Sequence, residues 1–171
     1  MRLDADKLSM LVLCGGGGRR MGGQDKPLLN WRNHSMVDHI LATVPVDIPK
    51  YISANRNLAQ YEKRGQVITD DEVRTNNELN TTGPLVGILG GLQACQTPWL
   101  LISPGDTPNL PHEWASRLWQ AALQSSAHAV VHDGERQQHL HLLLNASAQE
   151  TLLTFLRGDR YEVYRWLELI A

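Results

Sequence analysis

A short apolar run, Met10-Leu11-Val12-Leu13-Cys14, opens directly into four consecutive glycines, Gly15 to Gly18, and no other feature constrains the fold as strongly. A run of this length bounded by a loop reads as a strand buried on both faces, which is the habit of parallel sheets. Glycine has no Cβ, so the loop lets backbone N–H groups come close to an anion. Arg19, Arg20 and Lys26 follow at once. Cations beside bare N–H groups read as a cradle for the phosphates of a nucleoside triphosphate, although the glycines alone also fit a flexible turn with solvated arginines. Two better-known phosphate loops are excluded by spacing. Lys26 follows Asp25, so no GxxxxGK[ST] is present, and no register of the glycines gives GxGxxG.

The rest of the chain alternates strand and helix signals. Ser35 can cap a helix through Met36, Val37, Ile40, Leu41 and Val44, closed by Pro45 and Pro49. Tyr51 to Ala54 reads as a strand, Leu58 to Arg64 as a short helix stopped by Gly65, and Gln66 to Thr69 as a strand leading into Asp70 and Asp71. The polar stretch from Glu72 to Gly83 reads as a long surface loop. Pro84 opens a helix, Trp99 to Ser103 is a buried strand broken by Pro104 and Gly105, and Trp114, Leu118, Ala121 and Ala122 mark one face of the next helix. Ala127 to Val131 and Leu140 to Leu144 flank an Asp133-Gly134 turn signal, which makes a hairpin. Leu152, Leu153 and Leu156, then Val163, Trp166, Leu167 and Ile170, mark two closing helices.

This order predicts an α/β fold, a mainly parallel sheet covered on both faces in three α/β/α layers with one antiparallel hairpin. The whole chain, residues 1–171, is expected to be a single domain. Ligands of such sheets sit at the carboxyl ends of strands. The glycine loop, Asp70 with Asp71, and Asp106 all follow predicted strands and should meet at one edge. Asp106 is a hard oxygen ligand suited to Mg²⁺, which binds through one or two carboxylates together with substrate phosphates. It also fits a helix cap for the segment starting near Pro108.

Composition excludes several classes. With 16 basic and 18 acidic residues, a net charge of −2 gives no general field for nucleic acid or an anionic membrane. Cys14 and Cys95 share no metal or disulfide spacing, which suits a reducing compartment. The first ten residues are polar, and the apolar runs fall short of the roughly 20 residues of a membrane helix, so a soluble cytoplasmic protein is expected. His139 and His141 alternate along one strand face but lack a third ligand nearby, so they read as surface or substrate-pocket residues. The five tryptophans read as core and edge packing, and Cys14 as a small buried hydrophobe with no nucleophilic role.

The string LCGGGGRRMGGQDKPLL resembles the signature of the molybdenum cofactor guanylyltransferases, which carries Leu-Ala-Gly-Gly, Arg-Met-Gly and Asp-Lys in that order. SANR at Ser53 to Arg56, VITD at Val67 to Asp70, GPLVGILGGL at Gly83 to Leu92, SPGDTPNLP at Ser103 to Pro111 and HDGER at His132 to Arg136 resemble the family's later motifs, also in order. These ordered matches cover most of residues 10 to 145 and are together far more specific than any one.

The resemblance implies a Rossmann-like nucleotidyltransferase fold that uses GTP, Mg²⁺ and molybdopterin or molybdenum cofactor, with molybdoenzymes or their maturation proteins as further partners. It implies that Leu13, Cys14 and Gly15 line guanine and ribose, with Gly16 among the nucleotide-binding residues. Lys26 would contact the phosphates and Asp106 would hold Mg²⁺, while Arg20 joins them in stabilising the transition state. Asp70 matches the family's nucleotide-binding aspartate, with Asp71 beside it as the other candidate to read guanine. The family's second-strand asparagine falls at Ser53, and Asn55 is kept. A related nucleotidyltransferase with another nucleotide or acceptor, or a non-catalytic nucleotide-binding homologue, is the alternative. After HDGER the family continues with a His-Pro-Thr-like segment, where Gln137, Gln138, His139, Leu140 and His141 stand here. Arg160 matches a late Gly-Asp-Arg segment, and nothing corresponds to the family's last strand and Asn-rich end. The expectation is therefore that nucleotide binding is better preserved than complete transfer, and that an open sheet edge is covered by a partner or second copy.

Overall fold

Apart from Ser9, the side chains on both faces of β1 (Leu8–Leu13) are apolar, so the strand must be covered twice. Leu8, Met10 and Val12 belong to one core cluster and Leu11 to the other, which fixes a three-layer arrangement. The structure is a computed structural model and describes residues 3–15, 24–125 and 128–170. After β1 come a 3-10 turn at Lys26–Leu28, β2 (Asn30–Trp31), β3 (His34–Ser35), α1 (Met36–Leu41), β4 (Lys50–Ser53), α2 (Leu58–Tyr61) and β5 (Gln66–Ile68). The chain continues through α3 (Asp70–Asn77), α4 (Pro84–Ala94), β6 (Trp99–Pro104), α5 (Trp114–Ser125), β7 (Ala129–His132), β8 (Gln137–Asn145), α6 (Ala148–Arg157) and α7 (Val163–Ile170).

The main sheet has six strands in the order β5-β4-β1-β6-β8-β7. β5, β4, β1 and β6 are parallel, and β8 runs antiparallel to both β6 and β7. Helices α1, α2 and α5 pack on one face, and α3, α4, α6 and α7 on the other. The predicted fold class, mainly parallel sheet and Asp133-Gly134 hairpin are thus present; Gly134 takes φ 103 in that turn. A second, two-stranded ribbon joins β2 to β3 through Arg32 and Asn33, both with positive φ, as a tight hairpin turn requires.

The largest correction concerns the stretch from Glu72 to Gly83, expected as a loop. Its first part is helical. Thr69 accepts a hydrogen bond from the Glu72 N–H while the Glu72 carboxylate accepts from the Thr69 N–H, a complete capping box. Asp70, Asp71 and Glu72 in the first turn complement the exposed N–H groups there. Only Val73 and Asn77 are buried, so apolar periodicity is nearly silent. Asn77 and Gln93 exchange amide hydrogen bonds of 3.2 and 2.9 Å, tying α3 to α4. Smaller corrections follow from local packing. The Ser35-capped helix stops at Leu41 although Val44 remains buried, the Leu58 helix ends at Tyr61, and Ala121 faces solvent while Ala115 and Trp119 join the core. Trp99, Trp114, Trp119 and Trp166 are core residues, and Trp31 lies at an edge under the Arg32 guanidinium.

The glycines of α4 set its distance from the sheet. A Cβ on Gly91 would lie 2.6 Å from Leu11 Cδ2, and one on Gly90 2.6 Å from methyls of both Ile68 and Val73. A Cβ on Gly87 would lie 3.0 Å from Ser53 Cβ and 3.2 Å from Leu13 Cδ2, so this part of the helix lies against the ends of β4 and β1.

Candidate active site

Because β1, β4, β5 and β6 run parallel, the residues following each reach the same edge of the sheet. The main chain stitches these ends together. The Cys14 N–H donates to Ser53 O at 2.7 Å, the Gly105 N–H to Leu13 O at 2.8 Å, and the Ala54 N–H to Ile68 O at 3.0 Å. Leu13 and Cys14 thus close β1, with Gly15 exposed beyond them. The Cys14 side chain turns inward. It is 2% exposed, and a Cβ on Gly105 would lie only 2.6 Å from its Sγ. Burial, only partly offset by a hydrogen bond with Tyr61, pushes the thiol up to about 12, so no thiolate is available at neutral pH. Small-hydrophobe packing explains Cys14, and only its main chain faces the edge.

Lys26 and Asp106 meet across the opening. The Lys26 ammonium donates to Asp106 Oδ2 at 3.0 Å, with both side chains nearly half exposed. Lys26 stands on the 3-10 turn, where the Leu28 and Leu29 N–H groups bond to Asp25 O and Lys26 O. Asp106 lies in the turn directly after β6. No helix begins near Pro108, so a helix-capping role for Asp106 is ruled out. Thr107 holds this turn from behind. Its hydroxyl donates to Pro104 O at 3.2 Å, leaving an oxygen lone pair for the Nε2–H of buried His141 at 3.1 Å. Burial lowers the His141 pKa below its ordinary value, opposed by the Asp106 charge.

On the other side, the Asp70 N–H donates to Asn55 Oδ1 at 2.8 Å, and the Asn55 amide lies within reach of Gly15. Asp70 and Asp71 differ sharply. Burial raises the Asp70 carboxyl above the usual carboxylate range, against the opposing effects of Asn55 and Arg74. Asp71 is 94% exposed and pairs at 3.5 Å with Arg74. Gly16 and Arg20 lie outside the described residues.

The structure brings together Leu13, Cys14, Gly15, Lys26, Asn55, Asp70 and Asp106 at one edge. It does not keep His139 and His141 together. Pairing with β7 slips between Val130 and Val131, and the two imidazoles end against different layers, His141 on Trp114 of α5 and His139 on Tyr164 of α7. Among the described residues no group of three acidic, His or Cys side chains could hold a metal. The sequence reading missed the partners of Asp25. Tyr61 and Asn57 both donate to this buried carboxylate at 2.9 Å, and Arg56 approaches it at 3.6 Å. Its position beside Lys26 was the only signal.

The MobA-like NTP transferase domain family matches residues 10–169. The molybdenum cofactor guanylyltransferase of Acidovorax sp. (strain JS42) is 37% identical over 178 residues, covering 97% of this chain and 82% of that protein. The chain belongs to the MobA-like NTP transferases. The Cupriavidus metallidurans enzyme of the same name is also 37% identical, over 96% of this chain and 82% of its own length. Among solved structures, molybdopterin-guanine dinucleotide biosynthesis protein A from Archaeoglobus fulgidus superposes with TM-score 0.72 at 18% identity, covering 95% of this chain and 80% of that chain. The 4-diphosphocytidyl-2C-methyl-D-erythritol synthase of Anaerococcus prevotii reaches TM-score 0.66 at 13% identity, covering 96% and 82%. These two likenesses establish the nucleotidyltransferase fold, and the family supplies the enzyme class.

Proposed function

We propose that this MobA-like transferase moves GMP from GTP to molybdopterin or molybdenum cofactor, forming the guanine dinucleotide cofactor and pyrophosphate. The observation that carries the reading is the 3.0 Å contact between Lys26 and Asp106, which sets a cation and a hard carboxylate side by side where strand ends converge. In the reaction, an oxygen of the acceptor's terminal phosphate attacks the α-phosphorus of GTP. A new P–O–P bond forms as the bond to the bridging α,β-oxygen breaks, and pyrophosphate leaves with that oxygen. No protein nucleophile takes part, in keeping with the buried, protonated Cys14.

Catalysis of this kind rests on positioning and charge neutralisation. Lys26 and Arg20 neutralise phosphate oxygens, the main chain of Leu13 to Gly15 lies along the nucleoside, and Gly16 is a further nucleotide-binding residue. Asp70 accepts from guanine N1–H and the exocyclic amine; its half-buried setting makes it a better candidate than Asp71 for reading the base. Asn55 orients the Asp70 segment through its 2.8 Å hydrogen bond. The donor set fits Mg²⁺ in one respect: Asp106 is a part-exposed carboxylate at a strand end, and Mg²⁺ accepts a single protein carboxylate when substrate phosphates and water complete its shell. When bound, the ion would supply Lewis-acid neutralisation of triphosphate charge.

The chain works in this reading as one domain in the reducing cytoplasm and hands its product to molybdoenzymes or their maturation proteins, with no nucleic-acid or membrane partner. Its described cysteines are free, and none of its described helices is long and apolar enough to cross a membrane. The test is titration with GTP, ATP and CTP in Mg²⁺, followed by pyrophosphate release with molybdopterin on the same preparation. Preference for GTP and acceptor-dependent release are expected. Equal affinity for ATP, or no release, overturns the assignment.

A further inference from the structure

Asp25 is a charged group at 8% exposure with no part in the reaction as derived, and burying a carboxylate is unfavourable unless donors surround it. The donors are present, and they all come from the segment after β4. Tyr61 OH donates to Oδ1 and Asn57 Nδ2 to Oδ2, each at 2.9 Å, and Arg56 Nε lies 3.6 Å from Oδ2. Arg56 reaches further along the same stretch, its Nη2 donating to Gln24 O at 2.9 Å. Asn57 adopts a left-handed conformation, φ 51, at the start of α2, and Tyr61 is fully buried. Lys26 is the next residue after Asp25. On its other side Pro27 is buried, with Cβ and Cγ each 3.0 Å from where a Gly105 Cβ would be. The short turn carrying Lys26 is therefore clamped at both ends, by a polar brace at Asp25 and by packing at Pro27.

We propose that Asp25 is a positioning residue that aims Lys26 at the triphosphate, held in place by a brace of Tyr61, Asn57 and Arg56. A flexible lysine loses side-chain freedom on binding, and a fixed main chain beneath it limits the directions it must give up. Tyr61 and Cys14 belong to one buried cluster, so the brace is packed toward the strand end where the nucleoside lies. The inference rests on the reading of Lys26 as a phosphate contact.

The test measures affinity for GTP and for guanosine, in Mg²⁺, for the wild type and for Asp25→Asn, Tyr61→Phe, Lys26→Ala and Tyr61→Phe with Lys26→Ala. Both Asp25→Asn and Tyr61→Phe should weaken GTP by about tenfold, the size of one lost hydrogen bond to a charged group, while guanosine changes by less than about twofold. The Tyr61→Phe effect on GTP should vanish when Lys26 is already alanine. Tyr61→Phe keeps the ring and removes only the hydroxyl, so it serves if Asp25→Asn does not fold. Equal losses for GTP and guanosine overturn the proposal, as does the same Tyr61→Phe factor with and without Lys26. If Lys26→Ala leaves GTP affinity unchanged, the phosphate reading of Lys26 falls as well, whereas an additive Tyr61→Phe effect on top of a real Lys26 loss rejects the brace alone.

Discussion

The sheet has two halves that use the same edge differently. Four parallel strands, β5, β4, β1 and β6, each deliver there the residues that follow them, Gly15, Asn55 and Asp106 on loops and Asp70 in the first turn of α3. In the antiparallel pair β7 runs the same way as β6 and brings only the short Asp133-Gly134 turn to this edge, while β8 runs the other way and starts from it with Gln137 to His141. What it offers is support: His141 holds Thr107, the residue next to Asp106. Strand direction decides whether a strand meets this edge with the residues that follow it or with its own first residues.

The sharpest way to break this comparison is to remove the charges of the parallel half. Lys26→Ala and Asp106→Ala should each lower turnover on the order of 10²-fold, the usual loss for one preorganised electrostatic group, with thermal unfolding little changed because both side chains are nearly half exposed and neither belongs to the core. Steady-state kinetics beside a melting curve would check this, and near wild-type rates in either variant would remove that residue from the site.

Overpacking tests the same half from beneath. Gly90→Val places new atoms against Ile68 and Val73, where even a bare Cβ would lie 2.6 Å away, and should lower stability by about 1–3 kcal/mol in urea unfolding. An unchanged midpoint would mean that α4 is free to move off the sheet. Guanine selectivity then divides Asp70 from Asp71. Leaving two guanine donors without their acceptor costs about 1–3 kcal/mol, so Asp70→Ala should narrow the gap between GTP and ATP affinities roughly tenfold or more, with Asp71→Ala nearly silent. The reverse ranking would make the exposed Asp71 the reader of the base.

For the antiparallel half, His141→Leu removes the partner of Thr107 and should cost about 1 kcal/mol of stability while reducing the rate much less than Asp106→Ala. A loss as large as that of Asp106→Ala would make β8 part of the reactive site. The smallest expected effect lies in the helix layer, at Asp38 and Arg64. Hydrogen bonds from Arg64 hold the Asp38 carboxyl at about 2, below its ordinary 3.8, with a further contribution from Ser35. A depressed acid stabilises the fold above its unfolded pKa, and that contribution is lost as pH falls through the folded value. The stability difference between wild type and Asp38→Asn should therefore be at most about 1 kcal/mol, after solvent screening, at pH 6 and shrink between about pH 4 and pH 2.

These contrasts also separate what the sequence could disclose from what it could not. Strands such as Trp99 to Pro104 are continuous apolar runs, and a parallel sheet fixes where their ends go, so the meeting of Gly15, Asp70 and Asp106 could be anticipated. Helix α3 could not be found by periodicity, since Val73 is its lone buried apolar residue; the Thr69 to Glu72 capping spacing was its one local mark. The Asp25 brace escaped because its contacts span 32 and 36 residues, and nothing in Tyr61 or Asn57 alone announces a carboxylate partner. The separation of His139 from His141 depended on a slip in strand pairing, which period-two alternation does not register.

The Lys26–Asp106 ion pair carries one more consequence. Before any ligand arrives, each charge already has an opposite neighbour at 3.0 Å, so neither is fully available to an incoming partner. A divalent cation alone must displace an ammonium, and a triphosphate alone must draw that ammonium from its carboxylate. Arriving together in the proposed reaction, each would release the group the other needs. Substrate and ion should therefore act as heterotropic activators of one another, and thermodynamic reciprocity requires that the factor by which Mg²⁺ tightens GTP equal the factor by which GTP tightens Mg²⁺.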